Sequence, residues 1–316
     1  MLKKESMQIK KAMVLHNPGA GEGDTSRAEL LRTLRAAGFK CSYSSTKPLR
    51  WDAIEAADAD FLVLAGGDGT VRKIAGELLS RTVLDKKLPI GLLPLGTANN
   101  IAKTLGLHGT RAEMIRGWHT GKVKKFDVGR IDGLSESSFF LESFGYGLFP
   151  RLMHEMKRQK KNDIEDSKMR MQAALELLHY LVVTAPVKKC KLLIDGRDHS
   201  GEFLLIEVMN TRSIGPNLTL APAADPGDAV FDVVLVEENQ RSALAEYVRR
   251  KIDGEETQFD FPLVKGETLE IVWNGRHVHV DDEYYKLAKP AKITIEIRDG
   301  LLEFLLPASC LSNIGT

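Results

Sequence analysis

The sequence predicts an α/β domain with a parallel sheet and glycine-rich βα turns, followed by a β-rich domain of antiparallel, sandwich-like character. Three observations support this fold class. Short apolar runs alternate with helical patterns in the first third of the chain. Strand-like runs dominate beyond Phe126. The length of 316 residues exceeds the size at which one hydrophobic core usually stops growing. We therefore place one domain at residues 8–125 and a second at residues 126–316.

The first domain is predicted to be a series of βα units. Short apolar runs indicate strands, and longer segments with apolar residues at helical spacing indicate helices. In chain order these elements are Ala12–Leu15 (strand), Arg27–Ala37 (helix), Phe61–Ala65 (strand), Val71–Ser80 (helix), Ile90–Leu93 (strand) and Asn99–Leu105 (helix). Successive units of this kind form a parallel sheet that is covered by helices.

The second domain is predicted to consist mainly of strands. They are Phe139–Glu142, Lys189–Ile194, Phe203–Val208, Phe231–Val236, Leu269–Trp273, Val278–Val280, Ile293–Ile297 and Leu302–Leu306. Two dipeptides, Asp195-Gly196 and Asn274-Gly275, are strong signals for two-residue hairpins. The second dipeptide predicts a hairpin between Leu269–Trp273 and Arg276–Val280.

One helical insertion interrupts these strands. The pattern is helical from about residue 150 to about residue 185, and Pro186 marks its end. We therefore expect helices at this point within the β-rich domain.

Composition excludes several classes of protein. Forty-four basic and forty-three acidic residues leave a formal charge of +1, so no global field would hold a nucleic acid. The three cysteines, Cys41, Cys190 and Cys310, lie far apart and form no CxxC pair, which favours a reducing, cytoplasmic compartment. The sequence contains no apolar run long enough to span a membrane. We therefore expect a cytoplasmic protein, with peripheral contact at a membrane surface as an alternative.

The first glycine-rich turn follows a predicted buried strand. Its residues are Gly66-Gly67-Asp68-Gly69-Thr70. Glycines let backbone N–H groups approach a phosphate, and the helix that follows presents its positive N-terminus to the same point. The turn matches neither GxxxxGK[ST] nor GxGxxG. An anion-binding cradle is therefore one interpretation, and a tight turn with Asp68 as a helix cap is the other.

Two further turns extend this pattern. Leu93-Pro94-Leu95-Gly96-Thr97-Ala98-Asn99 follows a strand and places the Thr97 hydroxyl where it would cap a helix or bind a ligand. His16-Asn17-Pro18-Gly19-Ala20-Gly21 follows the first strand. Turns at the carboxyl ends of parallel strands meet at the crevice where open α/β sheets bind ligands.

With these motifs the sequence resembles the diacylglycerol kinase catalytic-domain family, which includes sphingosine kinases and bacterial soluble lipid kinases and is distantly related to NAD kinases. The resemblance implies that residues 8–125 bind the nucleotide and that residues 126–316 bind the acceptor, a diacylglycerol-like or sphingoid-like lipid. It also implies that ATP lies along Asn17, Thr46, Gly66, Gly67, Asp68, Gly69, Thr70, Val71, Arg72 and Thr97.

A loop in the second domain is similar to the segment that builds a Mg²⁺ site in this family. The resemblance implies that the carboxylate of Asp228 binds Mg²⁺ together with the backbone carbonyls of Asp225 and Val230. Ala229 stands where the family carries glycine. From the residues alone, a loop with solvated carboxylates is the alternative.

The segment Val280-Asp281-Asp282-Glu283 falls where the family carries Asp-Gly-Glu. If the chain is extended here, Asp281 and Glu283 face the same way. The resemblance implies that Glu283 accepts the proton of the lipid hydroxyl. Asp281 would lend negative charge, and Asp68 would hold the Mg²⁺ of the nucleotide or approach the hydroxyl. Asp282 replaces the family glycine.

Other signals are weaker. His277 and His279 alternate on a strand, but the sequence offers no third metal ligand, which favours structural or surface roles. The segment Arg151–Arg170 has seven basic and four acidic residues. This mixture of charges is more typical of a solvent-exposed helix than of a segment that contacts a membrane transiently. The sequence leaves open whether the protein forms a homodimer.

The sequence thus predicts an ATP- and Mg²⁺-dependent lipid kinase, with a place in phospholipid biosynthesis. Two alternatives remain. One is a small-molecule kinase closer to NAD kinases, since these share the first glycine-rich turn. The other is a non-catalytic nucleotide- or lipid-binding homologue, for which Ala229 and Asp282 are the support.

Overall fold

The structure, a computed structural model, describes residues 10–20, 25–47, 58–80, 88–160, 163–164, 166–215, 217–258 and 260–313. The chain forms two compact units. The first contains the described residues up to Phe126 and those from Leu302 onward, and the second is Asp127–Leu301. The sequence-based division placed all residues after 125 in the second domain. The structure differs at the C-terminal end, because Phe304 pairs with Ile90 in the sheet of the first unit.

The first unit alternates strands and helices. Its described elements are β1 (Lys11–His16), α1 (Arg27–Ala36), β2 (Lys40–Ser45), β3 (Phe61–Gly66), α2 (Asp68–Leu79), β4 (Ile90–Pro94), α3 (Asn100–Thr104) and α4 (Arg111–Gly117). All six predicted elements of this region are confirmed. The sequence patterns missed β2 and α4. β2 is polar and only partly buried, and it pairs only with β1 among the described strands.

The sheet of the first unit is parallel, in the order β2-β1-β3-β4. All six residues of β3 and five of the six in β1 are buried, as expected for strands that are covered on both faces. The strand order reverses between β1 and β3, which defines a topological switch point. Open α/β sheets bind their ligands outside the carboxyl ends of the strands at such a point.

The remaining strands build the β-rich part of the fold. They are β5 (Lys122–Asp132), β6 (Phe139–Phe140), β7 (Ser143–Gly147), β8 (Lys188–Ile194), β9 (Arg197–Asp198), β10 (Gly201–Met209), β11 (Ser213–Ile214), β12 (Leu218–Thr219), β13 (Phe231–Glu237), β14 (Leu263–Gly266), β15 (Thr268–Trp273), β16 (His277–Val280), β17 (Glu283–Lys286) and β18 (Lys292–Leu306). Two 3₁₀ turns lie at Glu238–Gln240 and Ala308–Asn313.

In the second unit, β10 is the central strand. It pairs antiparallel with β7, β8 and β13, and its register shifts between Phe203 and Leu205. β15 pairs antiparallel with β8 and β18. The predicted antiparallel, β-rich architecture is therefore confirmed.

Three helices pack in the described part of the second unit. They are α5 (Leu148–Arg158), α6 (Ser167–Thr184) and α7 (Arg241–Ile252). The first two confirm the predicted helical insertion. All three contribute to one apolar cluster, to which α6 supplies Leu178 and Leu181 and β13 supplies Val234.

One of the two predicted hairpins is confirmed. Asp195 and Gly196 both have positive φ, 48° and 76°, and they join β8 to β9 as a two-residue turn requires. The hairpin predicted at Asn274-Gly275 is wrong. Neither residue has a positive φ, and β16 pairs with β7 and β17 instead of β15.

Two predicted strand boundaries also differ. The run Ile293–Ile297 and the run Leu302–Leu306 belong to the single strand β18. The run Phe139–Glu142 contains only the short strand β6, and the next strand begins at Ser143. Among the residues that the structure describes, none of the helices combines the length and the apolar character that a membrane crossing needs.

Ala229 has a backbone conformation that suits glycine. Its φ is 62°, in the left-handed region where a Cβ approaches the following carbonyl oxygen. This is the position at which the sequence departs from the family glycine. The departure therefore introduces local strain and leaves the left-handed turn in place.

We expect Ala229→Gly to stabilise the protein. Removal of the Cβ relieves roughly 1–2 kcal/mol of left-handed strain, and the added freedom of the unfolded chain costs about 0.5–1 kcal/mol. The free energy of unfolding from urea denaturation should therefore rise by about 0.5–1 kcal/mol. Ala223→Gly in the same loop is the matched control, because the φ of Ala223 is not positive, and it should lower stability. If both substitutions changed the free energy of unfolding equally, the result would contradict left-handed strain at Ala229.

Candidate active site

The three predicted turns meet at the switch point of the first unit. The turn at Asn17 follows β1, and the N–H of Asn17 donates to the carbonyl of Ala65 in β3 at 2.9 Å. The turn at Gly96 follows β4, and the N–H of Leu95 donates to the carbonyl of Gly66 at 3.0 Å. Backbone hydrogen bonds thus connect each outer turn to the end of the central strand β3.

These turns border a cleft of about 320 Å³. The described residues that line it are Asn17, Ala20, Thr46, Lys47, Gly67, Gly69, Thr70, Lys73 and Gly96. Five of the predicted nucleotide-binding residues are among them, which are Asn17, Thr46, Gly67, Gly69 and Thr70. The structure therefore brings together residues from three separate turns and from the end of β2.

Two glycines pack against each other beside the cleft. A Cβ on Gly67 would lie 2.9 Å from the Cα of Gly96. A Cβ on Gly96 would lie 2.7 Å from the Cα of Gly67 and 2.9 Å from Oδ1 of Asn99. The sequence suggested that these glycines expose backbone to a ligand. The structure adds a second reason for them, since only two bare Cα atoms allow the turns to approach this closely.

Asp68 fixes the position of α3. Its Oδ2 accepts a hydrogen bond from the N–H of Asn100 at 2.9 Å, and its Oδ1 accepts one from the N–H of Ile101 at 3.2 Å. A carboxylate at a helix N-terminus satisfies unpaired amides and favours the helix dipole. Asp68 therefore caps α3, whereas the helix that Asp68 itself begins, α2, has Gly67 at its N-cap.

Thr97 does not cap α3. The N-cap residue is Asn99, with φ of 51°, and the Thr97 side chain is exposed. The Asn99 side chain instead closes the turn on itself. Its Oδ1 accepts from the N–H of Gly96 at 2.9 Å, and its Nδ2 donates to the carbonyl of Gly96 at 2.6 Å. Asn99 thus holds Gly96 against Gly67, a role that the sequence patterns did not assign.

The cleft has the electrostatics of an anion site. The N-terminus of α2 carries partial positive charge, and Lys47 and Lys73 add two ammonium groups. Lys73 Nζ donates to the carbonyl of Thr46 at 2.8 Å. Asn17 Nδ2 donates to Oγ1 of Thr70 at 3.2 Å. Sequence reasoning missed both lysines, although Lys73 lies one helical turn after Thr70 and therefore on the same face of α2.

Other predicted nucleotide-binding residues do not line the cleft. The Val71 side chain is buried in the core, and its N–H donates to the carbonyl of Gly67 at 3.2 Å. Gly66 is needed for packing, since a Cβ there would lie 2.5 Å from Oγ1 of Thr70. Arg72 and Thr97 are also outside the lining of this cleft.

The predicted metal loop is built around Asp228. The N–H of Asp228 donates to the carbonyl of Asp225 at 3.3 Å, and the N–H of Val230 donates to Oδ1 of Asp228 at 3.3 Å. Lys265 Nζ lies 3.0 Å from Oδ2 of Asp228. Asp127, which the sequence analysis missed, accepts from the N–H of Ala229 at 2.9 Å and so connects this loop to β5.

The surroundings of this loop suit a hard cation. Burial raises the pKa of Asp232, and the charge of Asp228 adds to the effect while Lys265 opposes it. Oδ1 of Asp232 is buried and accepts no hydrogen bond. Among the described residues, no group of three or more His, Cys, Asp or Glu side chains is arranged to hold a metal. A cation here would therefore need backbone carbonyls as well, and the oxygen donors of the loop fit Mg²⁺.

Glu283 follows a tight turn. Val280 of β16 pairs with Glu283 of β17, so Asp281 and Asp282 form a two-residue connection. The φ of Asp281 is 52°, whereas that of Asp282 is not positive. The expectation that the chain is extended here, with Asp281 and Glu283 on one face, is wrong because the chain reverses at Asp281. Asp282 therefore replaces the family glycine without left-handed strain.

The two predicted carboxylates have different surroundings. Asp281 is buried, and its Oδ1 accepts hydrogen bonds of 2.7–3.2 Å from the N–H groups of Leu141, Glu142 and Ser143. Glu283 is exposed, and its carboxylate accepts a hydrogen bond from the hydroxyl of Tyr285. Asp281 thus anchors the turn, and Glu283 presents its carboxylate to solvent.

A buried pair supports this turn from the other side. His279 and Glu207 are fully buried, and His279 Nε2 lies 2.8 Å from Oε2 of Glu207. His279 Nδ1 lies 2.9 Å from the carbonyl of Asp281. The structural role expected for His279 therefore includes a direct contact with the turn that precedes Glu283.

The pair shares one proton. Burial disfavours the imidazolium, yet the neighbouring Glu207 carboxylate and the carbonyl of Asp281 raise the pKa of His279 above its ordinary value of 6.5. Burial also raises the pKa of Glu207, with His279 opposing the effect. The raised pKa values of His279 and of Glu207 both reflect the one proton that the two side chains share. Loss of this proton would leave a bare carboxylate in the interior.

Comparison with known proteins gives matches over most of the chain. Residues 11–131 match the diacylglycerol kinase catalytic domain, and residues 155–303 match the YegS C-terminal NAD kinase beta sandwich-like domain. A diacylglycerol kinase of Bacillus subtilis is 27% identical over 252 residues, which is 76% of this chain and 77% of that protein. A diacylglycerol kinase of Staphylococcus carnosus is 23% identical over 292 residues, which is 90% and 85% of the two chains.

Solved structures share the fold. A crystal structure of a diacylglycerol kinase from Bacillus anthracis superposes with a TM-score of 0.70 at 23% sequence identity. The match covers 96% of this chain and 99% of that chain. At this identity the likeness demonstrates the fold alone.

The shared proton makes stability depend on pH. The folded pKa of His279 is raised, so its contribution to stability is fully present below the unfolded value and is lost as the pH rises through the folded value. We expect the free energy of unfolding to fall as the pH rises from the ordinary histidine pKa of 6.5 through the raised folded value, with a slope of at most about 1.4 kcal/mol per pH unit from this group. Urea denaturation across this range measures it.

Glu207→Gln is the control for this dependence. The amide keeps an acceptor for His279 but removes the charge that raises its pKa, so burial should then lower that pKa. In this variant the free energy of unfolding should no longer fall above about pH 6.5 because of His279. Parallel stability curves for the parent and the variant would contradict the shared proton.

Proposed function

Because the chain belongs to the diacylglycerol kinase catalytic-domain family and is a lipid kinase, we propose that it transfers the γ-phosphoryl group of ATP to a hydroxyl of a diacylglycerol-like or sphingoid-like lipid. One observation carries this proposal. The cleft at the switch point of the first unit combines a helix N-terminus, bare glycine backbone and two lysines. The names of the relatives favour a diacylglycerol over a sphingoid acceptor.

ATP is proposed to bind this cleft through its phosphates. The amides at the start of α2 and the ammonium groups of Lys47 and Lys73 would offset the phosphate charge. Phosphoryl transfer depends mainly on positioning and charge stabilisation, and the protein performs little covalent chemistry. The roles of Arg72 and Thr97 in nucleotide binding stay predictions.

Mg²⁺ is proposed to bind Asp228 and the carbonyls of Asp225 and Val230. When bound, the ion would neutralise the acidic surroundings of the loop and stabilise the left-handed turn at Ala229. Lys265, which contacts Asp228 at 3.0 Å, would give up this contact to the ion. A buried oxygen of Asp232 without a hydrogen-bond partner supports the site.

Glu283 is proposed to accept the proton of the lipid hydroxyl. It is exposed, so its carboxylate is open to an acceptor, and Tyr285 orients it through a hydrogen bond. Asp281 would act by fixing the turn, since its Oδ1 is engaged by three backbone amides. Asp68 is the weaker candidate for proton transfer, because both of its oxygens accept amides of α3.

Two further expectations stay predictions. Transient contact with a membrane surface was raised for Arg151–Arg170, a segment of which residues 161, 162 and 165 lie outside the described residues. A homodimer likewise stays a prediction.

Phosphorylation of a panel of acceptors tests the proposed function. The panel is a short-chain diacylglycerol, a sphingoid base and NAD⁺, each with radiolabelled ATP and Mg²⁺. We expect label in the diacylglycerol above the other two. Label in NAD⁺ alone would favour the small-molecule kinase, and label in none of the three would contradict the proposed substrate class.

We expect Glu283→Gln to reduce turnover by about 10²–10⁴-fold with nearly unchanged ATP affinity. The amide keeps the shape of the side chain but cannot accept the proton, so the loss falls on the chemical step. Steady-state kinetics and equilibrium ATP binding measure the two quantities. Glu202→Gln, at an exposed position on β10, is the control. Retention of more than about a tenth of the parent turnover would move the proton-accepting role to Asp68.

We expect Asp228→Asn to abolish most of the stabilisation by Mg²⁺. A ligand that binds only the native state raises stability with its concentration, so the melting temperature of the parent should rise as Mg²⁺ is added without nucleotide. Thermal melts of parent, Asp228→Asn and the control Asp132→Asn across a Mg²⁺ series measure the effect. An equal rise in the parent and Asp228→Asn would place the ion elsewhere.

A further inference from the structure

A second pocket lies within the second unit, apart from the carboxylate turn. Its volume is about 580 Å³, within the range of small-molecule sites. Residues from α5, from the start of β8 and from the connection between β15 and β16 line it. Ala185, Pro186, Leu204, Trp273 and Pro290 give the pocket an apolar wall.

The polar part of this pocket is cationic. Arg151, Lys188 and Arg276 come from three different elements and converge on it. Among the described lining residues the one carboxylate is Glu155, and Arg158 Nε already contacts it at 2.8 Å. The pocket therefore has an excess of positive charge from side chains that the fold brings together.

Two histidines complete the wall. His154 and His277 have ring centroids 5.5 Å apart, and the hydroxyl of Tyr284 lies 2.9 Å from Nδ1 of His277. Burial lowers the pKa of His277, and the positive charges of His154, Lys286, Arg151 and Arg276 lower it further. An anion in the pocket would relieve this repulsion.

We propose that this pocket binds the phosphate group of an amphiphilic anion. Arginine matches phosphate oxygens with two parallel N–H groups, and Lys188 adds a point charge. The apolar wall with Trp273 would accept the uncharged part of the same molecule. The chemistry is shared by a lipid phosphate and by a small soluble phosphate ester. None of these residues belongs to the nucleotide cleft or to the turn at Glu283, so the pocket is a separate site.

The choice of probe distinguishes a lipid phosphate from a small soluble phosphate ester. Short-chain diacylglycerol phosphate below its micellar concentration, glycerol 3-phosphate, inorganic phosphate and the unphosphorylated short-chain diacylglycerol are each titrated into the full chain. The readout is the imidazole signal of His277 in NMR spectra, assigned by His277→Asn. Because the nucleotide cleft also suits phosphates, this local signal separates the two sites.

We expect the lipid phosphate to bind most tightly and to raise the pKa of His277, since an anion beside the ring favours the imidazolium. Binding should therefore strengthen as the pH falls. Glycerol 3-phosphate should bind more weakly, and the unphosphorylated lipid should leave the His277 pKa unchanged. If glycerol 3-phosphate bound most tightly, the result would overturn the proposal that the ligand is amphiphilic. An unchanged His277 pKa with every probe would overturn the site.

Variants localise the effect. Arg151→Ala and Lys188→Ala should each weaken binding by about tenfold, in keeping with hydrogen bonds to charged groups. The matched control is Lys189→Ala, because Lys189 is the next residue along the chain, is outside the pocket and lies 3.9 Å from Glu202. Equal affinity in all three variants would overturn the proposal.

Discussion

The contact between Gly67 and Gly96 is the constraint on which the candidate nucleotide site depends. Two bare Cα atoms allow two βα turns to pack closely at the switch point of the sheet. Asp68 then reaches the first amides of α3, and Asn99 closes the turn that carries Gly96. A Cβ at either glycine would push the turns apart and so disturb these contacts.

The second unit uses buried polar groups in a comparable way. Asp281 holds three backbone amides, and the pair of His279 and Glu207 contacts the same turn. Unpaired buried charges are strongly destabilising, so each member of this network needs its partner. The result is that an exposed Glu283 is carried on a firmly held turn. The loop at Asp228 likewise contains a left-handed residue, Ala229, where alanine carries strain.

The sequence predicted the fold class and the three turns because glycine, apolar strands and turn dipeptides act locally. It missed β2 because a polar, half-buried edge strand has no apolar run. It misplaced Asp281 because two adjacent aspartates do not reveal a chain reversal. The cap that Asp68 provides for α3 joins two helices of different βα units, a tertiary contact that local patterns do not encode.

Equilibrium binding of a non-hydrolysable ATP analogue to Gly96→Ala tests the central claim most directly. The Cβ would lie 2.7 Å from the Cα of Gly67, so the two turns must separate. Gly76→Ala, within α2, is the control, and thermal melts verify that both variants fold. We predict a loss of affinity of at least about tenfold for Gly96→Ala alone, or about 1.4 kcal/mol. Parent-like affinity in a folded Gly96→Ala variant would contradict the account.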